Sequence, residues 1–208
     1  MNHLLELPDD ARVLLVLAHG AGAGMRHPFM ERVAAALAAR GVGTFRYEFE
    51  YMENKSRRPD APSVAMARVR EALAEAAIAA PGLPLLAGGK SFGGRMTSNA
   101  QAESPLPGVR GLAFLGFPLH PPGKPSIARA DHLDRVTAPM LFVQGTRDEF
   151  AEPRLLMQVL ARLGPRASLY SIEGGDHSFN VPKSTGRSKD DVLEELGEAI
   201  TGWAGRLW

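Results

Sequence analysis

The sequence contains no cysteine among its 208 residues. This absence excludes disulfide bonds, thiolate metal ligands and a cysteine nucleophile, so covalent chemistry must use another side chain. The sequence also lacks an excess of one charge, because 24 basic residues nearly balance 23 acidic residues. We therefore expect neither nucleic acid nor a membrane surface as a partner, and a small molecule instead.

Long hydrophobic runs are missing as well. The first apolar segment, Val13 to Ala18, is much shorter than the ~20 residues of a membrane span, and it follows a polar N-terminus. Together with the lack of cysteine, this favours a cytoplasmic protein. No group of histidine and acidic residues has the spacing of a metal site, so we expect no metal. The length predicts a single domain over residues 1–208.

Short apolar segments rich in β-formers alternate with helical patterns from residue 12 onward. We predict six strands: Val13 to Leu17, Gly43 to Glu48, Leu83 to Ala87, Gly111 to Leu115, Met140 to Gln144 and Ser168 to Ile172. Most of them are continuous apolar runs, which is typical of strands covered on both faces. The alternation predicts an α/β protein with a mainly parallel sheet of about six to seven strands and helices on both faces.

Helical patterns fill the intervals between these strands. We predict helices from Pro28 to Gly41, from Val64 to Ala80, from Phe92 onward, around Leu155 to Leu163, and from Ser188 to Arg206. Trp203 and Trp208 are interpreted as structural residues. Two long connections, residues 47–62 and 117–139, leave the carboxyl ends of strands, where open α/β sheets bind ligands.

The segment Gly89-Lys90-Ser91-Phe92-Gly93 follows the third predicted strand and precedes a predicted helix. It has the Gly-x-Ser-x-Gly pattern of a nucleophile elbow, a sharp turn that lifts a serine hydroxyl out of the sheet. Two phosphate-binding interpretations fail. Pro84 stands where a P-loop needs its first glycine, and Met25 stands where a dinucleotide fingerprint starting at Gly20 needs its third. We therefore predict Ser91 as a catalytic nucleophile.

A nucleophilic serine requires a base, and the base requires a carboxylate that orients it and stabilises the imidazolium. His177 lies in the turn after the last predicted strand, and Asp148 lies in the turn after the preceding one. We predict His177 as the base and Asp148 as its carboxylate, with Glu149 or Asp134 as alternatives for the acid. The chain order serine, aspartate, histidine is the order that α/β-hydrolases use.

Acyl transfer also requires backbone N–H groups that stabilise the developing oxyanion, each contributing roughly 3 kcal/mol. The turn of small residues after the first predicted strand offers such a group at Ala21 or Gly22, and Phe92 offers another at the start of a helix. The choice between Ala21 and Gly22 stays open. We interpret His19 as structural. Three nearby cations are interpreted as solvated charges: Lys90, Arg95 and Arg26.

With His-Gly-Ala-Gly-Ala-Gly from His19 and Gly-Lys-Ser-Phe-Gly-Gly-Arg from Gly89, the chain resembles the small cap-less α/β-hydrolases of the dienelactone-hydrolase-like group. The resemblance covers nearly the whole chain and implies an α/β-hydrolase fold without a large cap domain. It further implies hydrolysis of a small carboxylic ester or thioester through an acyl-enzyme on Ser91, without a cofactor. Dienelactone hydrolases proper use cysteine at that position, so their substrate is not carried over.

Two other functions stay open at this point. Some eukaryotic relatives of this group are parts of chromatin-associated assemblies, so a non-catalytic scaffold with protein partners is one alternative. An acyltransferase or a C–C bond hydrolase that uses the same three residues is the other. The sequence does not determine the oligomeric state, the acyl chain length, or whether residues 47–62 close over the cleft.

Overall fold

The computed structural model describes residues 1–207, so the structural role predicted for Trp208 lies outside the described residues. In this range, seven strands form one sheet: β1 (His3–Glu6), β2 (Val13–Ala18), β3 (Val42–Tyr47), β4 (Leu85–Lys90), β5 (Val109–Leu115), β6 (Met140–Gly145) and β7 (Ala167–Ile172). Their order across the sheet is β1-β3-β2-β4-β5-β6-β7. β1 is antiparallel to β3, and the other neighbours are parallel. The predicted α/β class with a mainly parallel sheet is confirmed.

The same range contains six α-helices: α1 (Pro28–Ala38), α2 (Glu50–Glu53), α3 (Pro62–Ala79), α4 (Phe92–Glu103), α5 (Pro153–Leu163) and α6 (Lys189–Ala204). Successive side chains of a strand point to opposite faces of the sheet, so β2 contributes to two cores. Leu15 and Leu17 pack with α1 and α6, where Trp203 is also buried. Leu14 and Val16 belong to the core on the other face, to which α3, α4 and α5 also contribute. Helices therefore cover both faces, as expected.

Three elements differ from the expectations. β1, a short, half-exposed edge strand, was not predicted from the sequence. β4 runs to Lys90 instead of ending at Ala87. Its added residues include Gly88 and Gly89, whose missing side chains allow close contact with the neighbouring strands β5 and β2. A Cβ at Gly88 would lie only 1.9 Å from the carbonyl oxygen of Ala113. The two long connections also contain helical segments, namely α2 in the first and a 3-10 helix over Ala128–Arg135 in the second.

The carboxyl ends of the parallel strands meet at one edge of the sheet. Ser91 follows β4, Asp148 follows β6 shortly after its end, and His177 follows β7. Ligands bind at this edge in open α/β sheets. No inserted cap domain covers the edge within residues 1–207. As a separate finding, none of the helices in the described part of the chain is long and apolar enough to cross a membrane.

Candidate active site

Ser91 occupies a sharp turn between β4 and α4. Its backbone has φ of +48° and ψ of −112°, a left-handed conformation that an L-residue adopts only when the surroundings enforce it. The flanking glycines allow close contact with β2. A Cβ at Gly89 would lie 2.4 Å from the carbonyl oxygen of Ala18, and one at Gly93 would lie 2.5 Å from that of His19. These contacts explain the Gly-x-Ser-x-Gly pattern in physical terms.

A continuous chain of hydrogen bonds connects Ser91, His177 and Asp148. Nε2 of His177 lies 2.8 Å from Oγ of Ser91, and Nδ1 lies 2.8 Å from Oδ2 of Asp148. Both distances are those of well-formed hydrogen bonds. The alternative acids lie elsewhere, because Glu149 is exposed and Asp134 forms an ion pair with Arg162. Of the candidate carboxylates, Asp148 is thus the one in contact with the imidazole.

The carboxylate of Asp148 is buried, and protein groups satisfy both of its oxygens. Gln144 donates from Nε2 to Oδ2 at 2.5 Å, and the backbone N–H of Phe150 donates to Oδ1 at 2.8 Å. Together with Nδ1 of His177, these donors hold the carboxylate in one orientation. Gln144 was not predicted as a site residue from the sequence, although its position near the end of β6, shortly before Asp148, could have indicated one.

The loop that carries His177 is fixed by its own hydrogen bonds and by packing. The Asp176 carboxylate accepts the backbone N–H groups of Ser178 and Asn180, both at 2.8 Å. Phe179 adopts a positive φ of +61° and is buried. The ring of Phe150 lies against the imidazole of His177, with 4.2 Å between the ring centroids. The imidazole is therefore held both along its edge and on one face.

The turn after β2 lies beside Ser91, since a Cβ built on Gly20 would be 3.9 Å from Cβ of Ser91. The N–H of Gly22 donates to the hydroxyl of Tyr51 at 2.8 Å. In contrast, no hydrogen bond within residues 1–207 uses the N–H of Ala21 or that of Phe92. The N–H groups of Ala21 and Phe92 can therefore donate to a bound ligand, whereas that of Gly22 already has an acceptor.

His19 is buried and connects the turn to the first long connection. Its Nδ1 donates to the carbonyl oxygen of Gly20 at 2.8 Å, and its Nε2 accepts the N–H of Phe49 at 3.2 Å. The ring contacts Phe49 and Tyr51 edge to face. These contacts agree with the structural interpretation of His19.

A cavity of about 500 Å³ lies next to Ser91 and His177, between the first turns of α1 and α6. Its wall is mainly apolar and is formed by Phe29, Met30, Phe150, Phe179, Val192 and Leu193. Arg32 and Lys189 also line it, whereas none of its lining residues is acidic. Within the described residues, no cluster of three or more histidine and acidic side chains is arranged to hold a metal ion.

Lys90 departs from the prediction of a solvated charge. Its side chain is half-buried at the edge of the cavity, and its ammonium donates to the carbonyl oxygen of His177 at 2.7 Å. Burial lowers the pKa of Lys90 to about 8, although Asp148 and Asp176 act in the opposite direction. Of the other two cations, Arg26 is exposed as expected. Arg95 is half-buried, and this burial lowers the pKa of its guanidinium.

A family model for the alpha/beta hydrolase domain matches residues 11–205. Among solved structures, dienelactone hydrolase from Anabaena variabilis is 21% identical with a TM-score of 0.75, over 98% of this chain and 90% of that chain. An α/β serine hydrolase without a lid from Xanthomonas campestris is 20% identical with a TM-score of 0.73, over 97% and 88%. Est1E from Butyrivibrio proteoclasticus, with bound ferulic acid, is 18% identical with a TM-score of 0.73, over 99% and 94%. At these identities, the likeness shows the fold.

Proposed function

The chain belongs to the alpha/beta hydrolase domain family, and on that premise we propose that it is a serine hydrolase acting on a small carboxylic ester or thioester. The observation that carries this proposal is the hydrogen-bond chain from Oγ of Ser91 through His177 to the buried Asp148. Its position beside a mainly apolar cavity of about 500 Å³ supports a small substrate.

In the proposed reaction, His177 acts first as a base. Nε2 takes the proton of Ser91 while Oγ attacks the carbonyl carbon of the substrate, and the carbonyl π electrons move onto its oxygen. Asp148 holds the imidazole tautomer and stabilises the imidazolium that forms. His177 then gives its proton to the departing alcohol or thiol, which leaves an acyl group on Ser91. Water attacks this acyl group by the same route, which releases the acid and restores the serine.

The tetrahedral intermediate requires donors that are already in place. We assign this role to the N–H groups of Ala21 and Phe92, because no hydrogen bond within residues 1–207 uses either group. Phe92 directly follows Ser91, and Ala21 directly follows Gly20, which lies beside Ser91. Each such donor contributes roughly 3 kcal/mol to the transition state. Gly22 was the alternative to Ala21, and its N–H is already bound to Tyr51.

The test is covalent labelling of the folded protein by a fluorophosphonate, read by intact mass. The wild type is expected to gain one label, and Ser91→Ala is expected to gain none while it keeps a native circular dichroism spectrum. Ser63→Ala is the matched control, because Ser63 is exposed at the start of α3, and it should be labelled as the wild type is.

A folded wild type without any label would contradict the proposal and would favour a scaffold that binds protein partners. For a labelled protein, turnover of short p-nitrophenyl esters and acyl thioesters would then separate the two substrate classes. Product analysis with added alcohols would distinguish hydrolysis from acyl transfer.

A further inference from the structure

Lys90 connects the nucleophile turn to the loop of the base. It is the residue immediately before Ser91, and its ammonium bonds the backbone carbonyl of His177 at 2.7 Å. A single side chain on β4 therefore fixes the distance between the two segments that must exchange a proton. Its ammonium also lies 5.5 Å from the ring centroid of Phe179, a cation–π contact on the same loop.

The ammonium also lies close to the imidazole and carboxylate pair. A Cβ built on Gly116 would be 3.0 Å from Nζ of Lys90, 3.5 Å from Oδ2 of Asp148 and 3.5 Å from Nδ1 of His177. Nζ therefore lies within about 6.5 Å of both atoms, a distance over which charges interact strongly in a buried site. Gly116 has φ of +68°, and its missing side chain leaves room for this convergence.

Charged groups face Lys90 from several elements. Asp148 comes from the loop after β6, and Asp176 comes with His177 from the loop after β7. Arg32 on α1 and Lys189 on α6 line the cavity that Lys90 also lines. Because the pKa of Lys90 is lowered only to about 8, its side chain is still mostly protonated at neutral pH.

We propose that Lys90 is a positioning residue for the base: its ammonium fixes the His177 backbone relative to Ser91, and its charge favours neutral His177 beside ionised Asp148. The inference rests on the function proposed above. Two effects follow from this geometry. Loss of the hydrogen bond displaces the imidazole and slows proton transfer, and loss of the charge makes His177 easier to protonate.

The experiment measures the rate of fluorophosphonate inactivation as a function of pH, so it needs no knowledge of the natural substrate. In this reaction the Ser91 oxygen bonds phosphorus, the serine proton passes to His177, and fluoride leaves. For Lys90→Met we expect a plateau rate at least ~10-fold lower, because small misplacements of catalytic groups are costly. We expect the midpoint of its acidic limb to rise by about one pH unit, because one nearby positive charge is lost.

Lys183→Met is the matched control. Lys183 is exposed, and its side chain makes no hydrogen bond or ion pair within residues 1–207, so its profile should equal that of the wild type. Lys90→Gln serves as a second variant, since it removes the charge but keeps a neutral donor. We expect it to show the same shift in midpoint with a smaller loss of rate.

Two outcomes would overturn the inference. One is a profile of Lys90→Met equal to that of the wild type. The other is a slower reaction with an unshifted midpoint in both Lys90 variants, because a merely structural defect lowers the rate without changing the ionisation of His177. Either outcome leaves the proposed function intact as long as the wild type is labelled at Ser91. A folded wild type without labelling contradicts the proposed function itself.

Discussion

Replacement of Lys90 by methionine is expected to stabilise the fold at neutral pH. Burial lowers the pKa of Lys90 from 10.5 to about 8, which corresponds to about 3 kcal/mol at ~1.4 kcal/mol per pKa unit. Methionine fills a similar volume without charge but leaves the His177 carbonyl oxygen without its donor, a loss of about 1–2 kcal/mol. The net gain is about 1–2 kcal/mol, or a rise in Tm of about 2–8 °C for a domain of this size.

The gain in the free energy of unfolding for Lys90→Met should decrease as the pH rises. Below about pH 8 the folded protein carries the buried ammonium, so the full penalty is present in the wild type. Between about pH 8 and 10.5 the unfolded chain binds the proton more tightly than the folded protein, so the wild-type stability rises with pH. The advantage of Lys90→Met is therefore largest below pH 8. It reaches zero at about pH 9–10, where the remaining burial penalty equals the cost of the lost hydrogen bond, and it is reversed at higher pH.

Urea denaturation of the wild type, Lys90→Met and Lys183→Met at pH 7 and pH 10 measures this difference. We expect Lys90→Met to have the higher free energy of unfolding at pH 7, with a smaller difference at pH 10 and no change for Lys183→Met. A less stable Lys90→Met at pH 7, or a difference that does not shrink at pH 10, would refute the reasoning. A variant that is more stable but slower would indicate that Lys90 serves the reaction at the expense of stability.

Two further predictions concern other polar groups. Tyr51→Phe removes the acceptor of the Gly22 N–H and loosens the turn beside Ser91. The rate of inactivation by fluorophosphonate should therefore fall about 10-fold, with little change in Tm. An unchanged rate would show that the turn holds its shape without this hydrogen bond. Burial lowers the pKa of His132 to about 4. As the pH falls below about 6.5, this histidine is protonated in the unfolded chain but not in the folded protein, so protonation favours unfolding. Up to about 3 kcal/mol of the free energy of unfolding is lost by pH 4. His132→Gln should lack this part of the acid sensitivity in urea denaturation at pH 7 and pH 5, and an equal loss in both proteins would contradict the assignment.

The fold was predictable because its signals are local. Most of the buried parallel strands contain an apolar run, and most of the longer helices carry their own period, as in α6 with the capping box of Ser188 and Asp191. β1 was not predicted, because an edge strand with half-exposed side chains has no long apolar run in its sequence. The extension of β4 was also missed, since glycine usually weakens a strand, and only the close approach of Ala113 explains its presence here. That residues 1–208 form one domain stays a prediction.

That Ser91, Asp148 and His177 lie together was predictable for a related reason. Ser91, Asp148 and His177 each follow a strand directly or within a short turn, so the sheet topology alone brings them to one edge. The environment of Lys90 was not predictable, because it depends on contacts with His177, 87 residues away in sequence. The bond between Tyr51 and Gly22 likewise joins two turns whose relative position no local pattern encodes.

Residues 47–62 are tied to neighbouring parts of the fold by hydrogen bonds of their side chains. Tyr51 is buried and bonds Gly22, its backbone N–H donates to the carboxylate of Asp60 at 3.2 Å, and Glu53 pairs with Arg68 at 2.9 Å. None of the residues that line the cavity comes from this segment, whereas α1, α6 and the loop of His177 contribute most of them. Under the proposed function, a substrate would reach Ser91 past the first turns of α1 and α6, and we expect the side chains at those turns to determine which acyl groups fit.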